Sequence, residues 1–128
     1  MANVTLSPDA GVDARTTMYA QQVTGLVLAE DVDAGMALYI GTNWKLYKAS
    51  SASARFDGIA PKKMRAGQPC VAFGVGTRFH ATDADLDVTK SYWLSSTAGL
   101  FADTGTGAPV ARCVSRHDLE IVRVGSLS

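Results

Sequence analysis

Asp33-Ala34-Gly35-Met36-Ala37-Leu38-Tyr39-Ile40-Gly41-Thr42-Asn43-Trp44-Lys45-Leu46-Tyr47-Lys48-Ala49 carries the architecture of the chain in miniature. A small-residue turn opens onto four strand formers, Ala37 to Ile40. A Gly and Asn linker then interrupts the run, and a second run of aromatic and aliphatic residues follows. Apolar runs of this length separated by turn residues read as a β-hairpin. From Trp44 to Lys48 the alternation has period two, which assigns Trp44 and Leu46 to a buried face and Lys45 to a wet one.

The same unit recurs. Arg65-Ala66-Gly67-Gln68-Pro69-Cys70-Val71-Ala72 leads to Thr77 through Ala81, and Val88-Thr89-Lys90-Ser91-Tyr92-Trp93-Leu94-Ser95 leads to Leu100 through Asp103, with Lys90 aligned on the glycines. The spacing is uneven, which indicates hairpin reuse inside one domain and not a solenoid. Further strands are expected at Thr24–Ala29, Gly58–Pro61, Val110–Ser115 and Leu119–Val124. The best helical window, Arg55 to Gly67, contains Gly58 and Pro61, which cost a helix interior about 1 and about 3 kcal/mol. The expected fold is therefore all-β: a small single-domain β-barrel or β-sandwich over residues 23–128.

Residues 1–22 differ. Met1 to Tyr19 holds isolated apolar residues and Pro8 without convincing alternation, and reads as an extended N-terminal arm with its apolar residues exposed. Its residues Asn3, Val4, Thr5, Leu6, Met18 and Tyr19 are the candidate partner-binding residues, because an extended arm can add a strand to the sheet edge of another protein.

Length and composition bound the rest. One domain fits 128 residues, and the scaling laws give a folded surface of roughly 6,500 Å² against roughly 19,600 Å² unfolded. Apolar residues make up 47% and charged residues 19%, a composition that folds. Twelve Lys and Arg balance twelve Asp and Glu, which removes the basic footprint of a nucleic-acid or anionic-membrane binder and favours self-association. No run is long enough to span a membrane, and Met1 to Ala10 lacks a signal-peptide layout, so synthesis in a cytoplasm is expected. Cys70 and Cys113 are expected to be free thiols.

No motif nominates a catalytic, cofactor-binding or metal-binding residue. Asp83-Ala84-Asp85-Leu86-Asp87 begins like a calcium loop, but Val88 and Leu94 stand where that loop needs Gly and Glu. Gly74-Val75-Gly76-Thr77 lacks the lysine ending of a phosphate loop. His80 and His117 have no partner at zinc spacing, and no Gly-x-Ser-x-Gly elbow exists; the chain is not expected to be an enzyme. Arg55, Lys62, Lys63 and Arg65 with Phe56 form the densest basic cluster. Trp44, Tyr39, Tyr47, Trp93 and Tyr92 are the aromatics available to a carbohydrate-binding or adhesion module, although core and interface packing is the commoner use.

Several runs resemble the capsid decoration, or cement, proteins of tailed bacteriophages. They are Asp33-Ala34-Gly35 before Leu38-Tyr39-Ile40, Trp44 to Ala49 then Gly58-Ile59-Ala60, Ala66-Gly67 before Val71, Tyr92-Trp93-Leu94-Ser95-Ser96-Thr97 with Gly99, and Pro109-Val110-Ala111. Lys90 and Ala111 stand where that pattern has glycine. The resemblance implies a non-enzymatic β protein without cofactors that binds the major capsid protein on the outer face of an expanded head, commonly as a homo-trimer. It also implies a place on the virion surface after synthesis in the bacterial host. The alternative is a carbohydrate-binding or adhesion module using exposed Trp and Tyr.

Overall fold

The turn at Asp33-Ala34-Gly35 is closed by the Met36 amide, which donates to the Asp33 carbonyl at 3.2 Å, with Gly35 at φ 82°. Arg65-Ala66-Gly67-Gln68 repeats it, with the same closing bond at 3.2 Å and Gly67 at φ 87°. A turn with positive φ at its third residue selects glycine there. The third copy is Asp87-Val88-Thr89-Lys90, closed by the Lys90 amide on the Asp87 carbonyl at 3.1 Å. Thr89, and not Lys90, therefore holds the glycine position. This copy is braced instead by the Asp87 carboxylate, which accepts from the Thr89 amide at 2.9 Å and its hydroxyl at 2.6 Å.

The computed structural model describes residues 3–13, 16 and 19–126. Among them the chain forms thirteen strands: β1 Gly11–Val12, β2 Gln22–Val27, β3 Ala37–Ile40, β4 Leu46–Lys48, β5 Arg55–Phe56, β6 Gly58–Ile59, β7 Pro69–Phe73, β8 Arg78–His80, β9 Ser91–Leu94, β10 Phe101–Ala102, β11 Ala111–Cys113, β12 Asp118–Ile121 and β13 Gly125–Ser126. The domain is all-β, with an accessible surface of 6604 Å² that matches the scaling expectation. Strands β2-β7-β6-β3-β4 make one sheet, β1-β8-β12-β11-β9-β10 a second, and β13 pairs with β5. All these pairings are antiparallel.

Both large sheets have their edges brought together. In the five-stranded sheet, Leu28, one residue past β2, forms a parallel bridge to Leu46 of β4, so the first and last strands meet. In the six-stranded sheet the N-terminal segment does this work. Gly11 and Val12 pair with His80 and Phe79 at one edge, while Asn3 bridges Ala102 of β10 at the other. The Val4 amide donates to the Phe101 carbonyl at 2.8 Å and the Ser7 amide to the Ala81 carbonyl at 2.9 Å.

Two apolar clusters fill the interior. The larger lies between the sheets and holds Val4, Phe56, Ile59, Phe79, Leu94, Phe101, Leu119 and Ile121 among others. Phe101 is central to it, edge-on to Phe56 at 5.9 Å and tilted to Phe79 at 5.7 Å between ring centroids. The smaller cluster, Leu28, Val32, Leu38, Leu46, Ala60, Cys70 and Ala72, fills the five-stranded sheet. Alternation along β3 explains the division: Ala37 belongs to the larger cluster and Leu38 to the smaller.

Two expectations are corrected. Val4 is buried, at 7% exposure, so the arm is extended but its apolar residues are not all free. Trp44 does not share a face with Leu46: it sits in the turn before β4, at φ 63° and 71% exposed, while Leu46 is fully buried.

Gly58 is where the sheet demands a missing side chain. It has φ 154°, and a Cβ there would lie 2.8 Å from the backbone carbon and oxygen of Phe73. Backbone cannot rotate away as a side chain can. Gly58→Ala is expected to lower unfolding stability by about 3 kcal/mol through overpacking and strained φ, measured by chemical denaturation. The same substitution at Gly67, where nothing lies within 4 Å, should cost about 1 kcal/mol from backbone conformation alone.

Candidate functional site

The candidate residues of the arm fall into three groups. Asn3, Val4, Thr5 and Leu6 lie on the strap over the six-stranded sheet, with exposures alternating from exposed Asn3 and Thr5 to buried Val4 and half-buried Leu6. The Asn3 side chain accepts from the Ser95 hydroxyl and donates to the Thr97 hydroxyl, so it is committed to the domain itself. Tyr19 stands apart and is 86% exposed, just before Gln21, whose amide donates to the Val75 carbonyl. Met18 lies outside the described residues.

The strap forms one wall of a cleft of about 520 Å³, lined by Leu6, Ser7, Pro8 and Ala10 on one side and by Asp33, Ala34, Pro61, Lys62 and Lys63 on the other. A neighbouring cleft of about 640 Å³ runs between Asp31, Asp33 and Lys48 on one side and Lys63, Arg65 and Gln68 on the other. Both are mixed in charge. Of the basic cluster, Lys62, Lys63 and Arg65 are exposed around them, whereas Arg55 is turned to Asp57, with contacts of 2.7 and 3.0 Å. Phe56 is fully buried and offers no stacking face.

The titratable side chains around β8 and β12 are paired structurally. Asp83 Oδ1 accepts from the Ser7 hydroxyl at 3.0 Å and faces His80 Nε2 at 3.1 Å, while His80 Nδ1 lies 3.4 Å from Asp118 and Asp118 also holds Arg78 at 3.0 Å. The register Asp118↔His80 brings these side chains together across β8 and β12, a neighbourhood that sequence separation conceals. His117 Nδ1 is 3.1 Å from the Ala84 carbonyl. The acidic loop does not converge: Asp83 faces His80, Asp85 faces Arg116 at 2.9 Å, and Asp87 caps Thr89. Among the described residues no His, Cys, Asp and Glu group has the arrangement to hold a metal ion. Cys70 and Cys113 are free thiols, and burial pushes the Cys70 thiol above its ordinary value.

The five aromatics do not share one platform. Tyr92 is buried with its hydroxyl accepting from the Asp87 amide, and the Trp93 indole N–H donates to the Gly107 carbonyl at 3.1 Å. Tyr39 and Tyr47 stack on each other at 5.7 Å. Trp44 alone among them is exposed. Among the described residues, with Tyr19 and Val88, 79% exposed, it accounts for most of the large apolar side chains presented to solvent. Sequence reading missed Val88 and misplaced Trp44.

No model of a known protein family and no curated protein matches this chain.

The strap carries three testable consequences. Val4→Ala removes buried apolar area and should cost about 2 kcal/mol, and removal of residues 1–12 should lower the melting temperature distinctly, since it also strips hydrogen bonds from both sheet edges. The hydrogen bonds from His80 and Ser7 hold the Asp83 carboxyl below its ordinary value. A lowered carboxyl stabilises above its unfolded value, about 4, and that contribution is lost as pH falls through the lower folded value. Hydrogen exchange at the Ser7 amide, corrected for intrinsic rate, should therefore accelerate below about pH 4, and Asp83→Asn should remove most of that pH dependence.

Proposed function

We propose that the chain is a structural decoration protein that binds the outer surface of an expanded phage capsid and stabilises it. The observation that carries this reading is the placement of Tyr19, Trp44 and Val88. They are large, apolar and solvent-exposed, and they lie on loops around a β domain whose histidines are tied into structural contacts. That distribution suits a molecule that docks by its periphery. The sequence resemblance to cement proteins, the balanced charge and the all-β fold agree with it.

In this reading the partner is the major capsid protein, and three copies of the 13.5 kDa chain assemble as a trimer of about 40 kDa. Cyclic symmetry presents one patch three times to a shell with local threefold symmetry, so weak contacts add into avid ones. A protein that binds only the expanded shell stabilises that state by mass action, by about 2.7 kcal/mol per site at a hundredfold excess over its dissociation constant. A trimer bridging several coat subunits places this stabilisation across the seams that packaged DNA pushes apart.

The test heats purified expanded, DNA-filled shells with and without a saturating amount of the chain and follows dye access to DNA. The decorated shells should release DNA at a higher temperature. Equal release temperatures with the protein demonstrably bound would replace cementing by a display or adhesion role.

A further inference from the structure

Trp44 violates a local rule at the surface, where neither burial nor packing compensates for it. The Trp44 amide closes the turn on the Gly41 carbonyl at 3.0 Å, and the Gly41 amide reaches the Lys45 carbonyl at 2.9 Å. A three-residue hairpin loop of this kind places its last residue in the left-handed region, where glycine and asparagine are at ease. Here that residue is tryptophan, at φ 63° and 71% exposed. A bulky side chain in that region is strained, and exposing an indole forgoes its burial. Asparagine, which tolerates that backbone, stands one position earlier.

The tip is also braced. A side chain on Gly41 would collide with the Tyr47 ring, which lies over it. The Asn43 amide donates to the Tyr47 hydroxyl at 2.7 Å and its oxygen accepts from the Lys45 amide at 3.3 Å. Tyr47 in turn stacks on Tyr39. The backbone under the indole is thus preorganised, so capture has to order little besides the Trp44 side chain itself.

Resting on the decoration reading, we infer that Trp44 is the anchor of the interface: it inserts into an apolar pocket of the coat subunit, with exposed Lys45 placed to meet acidic groups on that pocket's rim. Tryptophan is among the residues most enriched at interface hot spots, which sit in well-packed, desolvated pockets. The alternative occupant, a sugar ring lying on the indole, needs polar groups beside the ring to grip hydroxyls. Asn43 is spent on Tyr47 and the turn, and the tip from Gly41 to Lys45 carries no carboxylate, which leaves the Thr42 hydroxyl and the Lys45 ammonium as the polar side chains of the tip that a sugar could use.

The experiment compares wild type, Trp44→Asn and Trp44→Gly for melting temperature and for affinity to expanded shells. It adds quenching of Trp44 by acrylamide in a Trp93→Phe background. Both substitutions should keep the melting temperature or raise it by a few degrees, because the backbone strain is relieved, and should weaken shell binding about 30-fold or more. Trp44 should change from quenchable to protected on the shell. Shell affinity unchanged in both variants overturns the anchor while leaving decoration intact. A melting temperature lowered as far as by Val4→Ala overturns it too, by making Trp44 a structural residue. Protection of Trp44 by soluble maltohexaose assigns the site to a glycan instead. Absence of shell binding by the wild type overturns decoration and the anchor together.

Discussion

The hydrogen bond from the Val4 amide to the Phe101 carbonyl, with the adjoining bridge between Asn3 and Ala102, is the contact on which the six-stranded sheet depends. A curled sheet leaves two edges of unpaired backbone, and each exposed edge is a liability. One segment of ten residues meets both: Asn3 and Val4 at β10, Gly11 and Val12 at β8. The same contact directs the Val4 side chain into the cluster around Phe101. Edge pairing and core filling are thus one event, and the aromatic contacts of Phe101 with Phe56 and Phe79, each worth about 0.5–1.5 kcal/mol beyond burial, lie next to it.

Much of the fold was legible in the sequence because hairpins declare themselves locally. Ten segments expected to be strands overlap strands of the structure, from Gln22–Val27 to Asp118–Ile121. The strands that escaped, Gly11–Val12, Arg55–Phe56 and Gly125–Ser126, are two residues long. Their character comes from a distant partner and not from a local run, as with Gly125 opposite Phe56. The strap itself left a faint signal: Asn3-Val4-Thr5-Leu6 alternates polar and apolar residues, a period of two too short to stand out from Pro8 and the residues around it.

The surface was less legible, for a geometric reason. Alternation assigns Trp44 to the face of Leu46 only if the strand begins at Trp44. The hairpin turn extends through that residue, and the left-handed backbone at Trp44 re-aims the side chain outward. The misplacement of Lys90 has a similar origin. Glycine marks the third turn residue in two copies, but the third copy reaches its turn through Asp87 and Thr89 side-chain bonds, so a residue-type match slipped by one. The pairing of His80 with Asp118 depends on strand register, which no sequence spacing reveals.

The strap also sets an order of events during synthesis. Asn3 and Val4 are made about a hundred positions before their partners, Ala102 and Phe101. At translation speeds of about 5–20 residues per second, the N-terminal segment waits on the order of 5–20 seconds on the ribosome before its sheet edge exists. Closure of this sheet is consequently a late, long-range step with a high entropic cost of loop closure. Throughout that interval its own β10 does not exist, and the strap's unpaired backbone can meet only the β10 edge of a chain further along in synthesis, so the spacing of ribosomes on the message bears on how faithfully each copy closes on itself.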